Sequence, residues 1–259
     1  MTIVLLILAI LPIILFALYI NSKDNVKEPK TLLFALFLSG VLSSILVIII
    51  SLLMEFVFPL LGGNVKTMNA LELGIYVFLG VASVEEGCKW FFTRIIGFNN
   101  KSFDQAYDIV VYATFVSLGF AFVENILYVL ENGLGTAILR ALTSIPSHTC
   151  FGIIMGYYLL LAKIAQKNND KTRYRKNMLL SFFLPFLVHG IYDYCLLVGN
   201  GYLLLLLLIM IILVFIYCYK KIKQLSKLTF NLSLKNTHCP TCGRVSDTPF
   251  CPNCGTKNE

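Results

Sequence analysis

Seven apolar stretches, near residues 3–20, 31–53, 71–96, 108–130, 136–162, 178–198 and 202–218, set the terms on which this chain can fold. Each approaches the ~20 residues with which a helix crosses ~30 Å of hydrocarbon, and the fifth is long enough to tilt. Lipid offers no partner to backbone N–H and C=O groups, so a spanning segment must pair them internally, as a helix or a closed barrel. Barrel strands alternate with period two, and the run Leu203–Leu208 shows no alternation. Helices remain. With 58% hydrophobic residues and only 14% charged, the chain is neither an ordinary soluble enzyme nor a disordered segment. The expected fold class is an all-α polytopic membrane protein of about seven transmembrane helices.

The net charge of +7 is distributed as a membrane protein distributes it. Loops 21–30 and 163–177, the turn near 94–107 and the segment after 219 hold nearly all Lys and Arg, whereas the opposite loops offer little beyond Lys66 and Arg140. The positive-inside rule makes the basic loops cytoplasmic. The first stretch lacks a basic leading region, and Lys23, Lys27 and Lys30 follow it, so it reads as a retained helix. Seven spans then put the N-terminus outside and the C-terminus in the cytoplasm, in the cell membrane. No folded basic face is left for nucleic acid, which is not expected as a partner.

Composition changes after the basic cluster Lys220, Lys221, Lys223 and Lys227, which suits anionic lipid. Cys239 and Cys242, then Cys251 and Cys254, form two C-x-x-C pairs with Gly243 and Gly255 just behind them. Four thiolates suit tetrahedral Zn²⁺ and close its coordination, as in a structural zinc ribbon. A cytoplasmic placement argues against two disulfides, and His238 reads as a bystander. The expected division is a transmembrane domain over 1–218, a basic juxtamembrane linker over 219–235 and the ribbon over 236–259. Cys88, Cys150, Cys195 and Cys218 lie singly in spans and read as small buried hydrophobes.

The informative residues are ionisable groups inside the spans, each costing ~2.5–3.5 kcal/mol near mid-bilayer on the lenient insertion scale. The third span carries Glu85, Glu86 and Lys89, the fourth Glu124 and Asn125, the fifth His148, and the sixth His189 and Asp193. Glu85 and Glu86 precede Lys89 by four and three residues, so Lys89 can pair with either. His189 and Asp193 share a helical face, as a base or ligand and its orienting carboxylate should. Gly119, Gly152, Gly156 and Gly190 would let helices approach closely around them. At ~1.5 Å per residue from the outer ends of their spans, Glu124 and Asp193 lie about 7–9 Å deep, His189 about 13 Å, His148 about 18 Å and Glu86 somewhat deeper, which predicts one shared cavity in the outer half of the bilayer. Asp108 and Arg140, near the membrane faces, read as structural.

Four motifs in order, E-E-x-x-K, D-x-x-V-Y-x(6)-G-F-A-x-x-E-N, P-x-H and H-x-x-x-D, resemble the PrsW family of intramembrane proteases over about residues 70–198. The matching positions are Glu85, Glu86 and Lys89; Asp108, Val111 and Tyr112; Gly119, Phe120, Glu124 and Asn125; Pro146 and His148; His189 and Asp193. The resemblance implies an endopeptidase acting on a membrane-anchored protein; the best-known members make the first cut in an anti-sigma factor. Amide hydrolysis needs an activated water, a proton for the leaving amine and donors for the oxyanion. Glu86, helped by Glu85, is the expected general base, Asn125 an oxyanion donor, Asp193 the orienter of His189, and Lys89 the holder of the glutamate pair. Two routes stay open: His148, His189 and Glu86 as ligands of a catalytic Zn²⁺, or a metal-free water held by the same groups. The competing classes are an ion-coupled transporter, for which no internal repeat is visible, and a scaffold whose ribbon recruits a cytoplasmic partner.

Overall fold

The computed structural model describes residues 2–57, 65–228, 237–238, 241–242 and 245–246. Helices α1 (Thr2–Ser22) and α2 (Lys30–Val57) are followed by an interrupted rod over residues 70–98. This rod consists of α3 (Ala70–Ile75), π-helical turns over Tyr76–Ala82, α4 (Ser83–Phe92) and a second π segment, Thr93–Phe98. Then come α5 (Asp108–Asn132), α6 (Leu134–Leu142), α7 (Ser144–Lys167), α8 (Lys171–Val198) and α9 (Gly201–Leu225). The architecture is all-α and polytopic.

Among the described residues six helical stretches are long and apolar enough to cross a membrane, not seven. The rod over 70–98 is the exception. Its α and π runs alternate, and Glu85, Glu86 and Lys89 fall within five residues of one another. π turns are rare and concentrate at functional sites, because they rotate the side chains that follow relative to a straight α-helix. The expected fifth span also differs from a single rod. It bends at Thr143 (φ −123°, ψ −63°), which separates the amphipathic α6 from α7 within a 34-residue stretch.

Local chemistry explains where the helices start and stop. Asn69 accepts from the backbone N–H groups of Leu71 and Glu72, while Glu72 accepts from that of Asn69, a reciprocal capping box. Asp170 and Asn200 cap α8 and α9 in the same sense. Gly133 (φ 78°) and Gly199 (φ 64°) supply the positive φ at which α5 and α8 end.

Helices α5 and α7 form the centre. α5 packs on α1, α2 and α7, and α7 packs on α8 and α9. α1 and α9, at the periphery, bury only 17% of their most apolar windows, so their Leu and Ile side chains are left for lipid. Glycine permits the central contacts. A Cβ on Gly119 would sit 2.0 Å from the Phe37 carbonyl oxygen, and one on Gly40 would sit 2.0 Å from that of Val116. Gly152 and Gly156 meet the α5 backbone at Thr114 and Val110, and Gly190 meets the ring of Phe78. Small residues spaced by four are the usual means of close helix approach in lipid. Gly119→Ala is therefore expected to destabilise the fold by about 1–3 kcal/mol through overpacking. Gly135→Ala, where a Cβ would meet nothing within 4 Å, is the control. Thermal unfolding in detergent that treats the two alike would refute the glycine seam.

Of the C-terminal segment, β1 (Thr237–His238) pairs antiparallel with β2 (Val245–Ser246), placing Thr237 opposite Ser246. This short hairpin flanks the first C-x-x-C, and Cys242 within it is exposed. Cys239, Cys251 and Cys254 lie outside the described residues. The four single cysteines, Cys88, Cys150, Cys195 and Cys218, are free and buried.

Candidate active site

Residues from the 70–98 rod and from α5, α6, α7 and α8 surround a cavity of about 350 Å³, toward the end of the bundle where residues 65, 133 and 199 lie. Its ionisable lining is Glu85, Glu124, Arg140, His148, His189 and Asp193. Five sequence-predicted residues from four rods thus share one cavity. Three predicted residues, Glu86, Lys89 and Asn125, do not line it and stand behind the wall.

Lys89 is the hub of that wall. Its Nζ lies 2.6 Å from Glu86 Oε1, 3.7 Å from Glu85 Oε2 and 3.4 Å from His148 Nδ1, and 4.1 Å above the Phe120 ring. An ammonium only donates, so His148 Nδ1 must accept, leaving Nε2–H to donate to Glu124 Oε2 at 2.8 Å. Ser117 Oγ donates to the His148 carbonyl at 2.6 Å. His189 reaches Glu86 Oε1 through Nδ1 (2.8 Å) and Asp193 Oδ2 through Nε2 (3.2 Å), and stacks on Phe151. The two imidazoles meet edge to face with centroids 5.5 Å apart.

Exposure separates the carboxylates. The side chains of Asp193, Glu124 and Glu85 keep 23%, 19% and 11% of their surface, against 1% for Glu86 and 0% for Lys89. Glu85 Oε2 has no hydrogen-bond partner among the described residues, and its nearest charged neighbours are Lys89 and His189 Nε2 at 3.7 and 3.8 Å. Glu85 lines the cavity and Glu86 does not, although each keeps one buried oxygen, Oε2, without a hydrogen-bond partner among the described residues. The sequence could not separate adjacent glutamates whose faces are set by the preceding π turns.

Two further expectations are revised. Asn125 Nδ2 donates to the Ala9 carbonyl at 2.7 Å, and Oδ1 accepts from Arg140 Nε at 2.8 Å. Its amide ties α1 to α6 and faces away from the cavity. Arg140, expected to be structural, lines the cavity instead. Its Nη2 lies 2.9 Å from Glu124 Oε2 yet is not aligned for a hydrogen bond. The sequence signal was present but weak: one Arg in the last turn of an amphipathic nine-residue helix. Tyr76, Tyr128 and Tyr192 also line the cavity, and no motif pointed to them.

The metal set expected from the sequence, Glu86, His148 and His189, is not assembled. These residues are not among those whose ligand atoms lie within 4.8 Å of one another. The physical reason is Lys89, whose ammonium stands between Glu86 and His148, the space a shared ion would need. His189, moreover, faces a carboxylate at each nitrogen. The trio as folded does not fit a catalytic metal.

Comparison with known proteins agrees with the motif reading. Residues 28–219 match the model of a family described as PrsW family intramembrane metalloprotease, reaching beyond the 70–198 seen in the motifs to include α2 and most of α9. The chain is 39% identical over 188 residues to Protease PrsW of Oceanobacillus iheyensis, covering 72% of this chain and 80% of that protein. It is 41% identical over 180 residues to the Geobacillus kaustophilus protein of that name (69% and 73% covered) and 33% identical over 198 residues to that of Clostridioides difficile (74% and 78%). No solved structure matches.

Proposed function

Because this chain belongs to the PrsW family of intramembrane metalloproteases and is a membrane-embedded peptidase, we propose that it cuts a membrane-anchored protein of the anti-sigma-factor type, at the first of successive cleavages. The observation that carries the reading is one cavity lined by Glu85, two histidines and an arginine, with Glu85 the member of the glutamate pair that reaches it.

In the proposed reaction the Glu85 carboxylate takes a proton from water, which attacks the scissile carbonyl. Arg140 Nη2, uncommitted to an aligned hydrogen bond, stabilises the oxyanion. His189, 3.8 Å from Glu85 and steadied by Asp193, relays the proton taken by Glu85 to the leaving amine as the C–N bond breaks. Both groups thereby return to their starting states, and the second water proton stays on the new carboxyl until the acid ionises. Glu86 and Lys89 position the two imidazoles, and Glu124 orients His148 and Arg140. Each step uses the chain's own groups and conserves the two protons of the water. Cells expressing the wild type should show new N-termini on membrane-anchored proteins that are missing with His189→Ala at equal expression. Identical sets of termini would overturn these catalytic roles.

Counting the interrupted 70–98 rod as a seventh crossing, we also propose an N-terminus outside, a cytoplasmic C-terminus and a zinc ribbon over 236–259 that recruits a cytoplasmic partner. The support is the loop charge and the paired C-x-x-C motifs. Truncation after residue 235 is expected to remove the bound zinc, measured by elemental analysis, and to leave cleavage within about twofold, since such a module folds on its own metal. Zinc retained in full by the truncated chain would contradict this division.

A further inference from the structure

At the far end of α5, sixteen residues and about 24 Å from Glu124 along the helix, lies a second acidic cluster that the peptidase reading does not use. Asp24 and Glu28 sit in the loop between α1 and α2, and Asp108 opens α5. All three are buried, at 4%, 8% and 0% exposure, and their ligand atoms lie within 4.8 Å of one another.

Each carboxylate has one oxygen engaged. Asp108 Oδ2 accepts from the backbone N–H groups of Asp104 (2.9 Å) and Gln105 (2.6 Å), Glu28 Oε2 from the Tyr112 hydroxyl (2.7 Å), and Asp24 Oδ1 from Val26 N–H (3.2 Å). Asp24 Oδ2 and Asp108 Oδ1 are buried without a hydrogen-bond partner. No Lys, Arg or His nitrogen lies within 4.0 Å of the three among the described residues. Lys27, the nearest basic side chain in the loop, turns its ammonium to the carbonyls of Asn21 and Asp24. Three carboxylates close together and out of water, with no ion-pair partner within 4.0 Å among the described residues, repel one another unless something neutralises them.

We propose that Asp24, Glu28 and Asp108 bind a hard divalent cation, Ca²⁺ in preference to Mg²⁺, which clamps the α1–α2 loop to the start of α5. Oxygens spaced up to 4.8 Å apart suit the ~2.3–2.6 Å reach of Ca²⁺ better than the ~2.0–2.1 Å octahedron of Mg²⁺. The donors are carboxylates alone, which disfavours the softer ions that histidine and thiolate sites take. The clamp is independent of the chemistry proposed for the cavity, because a cation at this cluster touches no residue that lines it.

The test uses the full chain in detergent, in metal-depleted buffer, with Ca²⁺ and Tb³⁺ as probes. Tyr112 bonds directly to Glu28, so Tb³⁺ in the cluster should luminesce on tyrosine excitation and be displaced by Ca²⁺. Ca²⁺ should raise the midpoint of thermal unfolding. Asp24→Asn should weaken both responses roughly tenfold or more in concentration, with Glu28→Gln as the second variant should the first misfold. A wild-type protein whose unfolding ignores millimolar Ca²⁺ and which gives no sensitised luminescence sinks the site outright. An undiminished response in both folded variants assigns the ion elsewhere and overturns it equally.

Discussion

Glu85→Gln is expected to lower the cleavage rate by about 10²–10⁴-fold, the range that removal of a positioned general base costs, while lowering the unfolding midpoint less than Glu86→Gln does. The substitution is close to isosteric, and Glu85 Oε2 accepts no hydrogen bond, its link to Lys89 being a 3.7 Å ion pair against the 2.6 Å contact of Glu86. Glu86→Gln should behave differently. Glu86 Oε1 accepts from Lys89 at 2.6 Å and lies 2.8 Å from His189, with essentially no exposed surface, so the amide disrupts a buried network. Both stability and activity should fall together. The comparison separates the two neighbours, which activity alone cannot do. Cleavage assays paired with thermal unfolding in detergent decide it: wild-type cleavage in Glu85→Gln would return the base to Glu86.

That separation marks where sequence reasoning reaches its limit. Long apolar runs expose the membrane helices, because lipid allows few alternatives for an unpaired backbone. Spacing also delivers Lys89 against both glutamates and His189 against Asp193, since those pairs lie within one helical segment. Contacts between rods are legible only as a shared depth. Nothing in periodicity says that Lys89 reaches 59 residues along the chain to His148, or that Asn125 spends its amide on Ala9. The π turns are equally invisible: the segment Tyr76–Ala82, whose Phe78 ring packs on Gly190, keeps an apolar pattern like that of an α-helix. Arg140 escapes a depth count that runs along one straight fifth helix. The bend at Thr143 swings its segment over the cavity mouth instead. The Asp24–Glu28–Asp108 cluster needs the loop of one hairpin laid against the start of another helix, a pairing no local rule contains.

Lys89→Met should be the most damaging substitution in the wall. The methionine approximates the aliphatic stem, so little packing is lost above Phe120. What disappears is the charge at the centre of Glu86, Glu85 and His148. Removing one partner of a buried ion pair leaves the other uncompensated, at about 3–5 kcal/mol. His148 Nδ1 also loses its donor, so the tautomer that directs Nε2–H toward Glu124 is no longer imposed. Activity should therefore fall below detection even in whatever fraction remains folded. The double substitution Lys89→Met with Glu86→Gln removes both charges, and it should regain most of the lost stability without regaining cleavage. That non-additivity is the signature of a shared buried pair rather than two separate contacts. If the double variant unfolds at the sum of its parents' losses, Lys89 is merely well packed and is no hub.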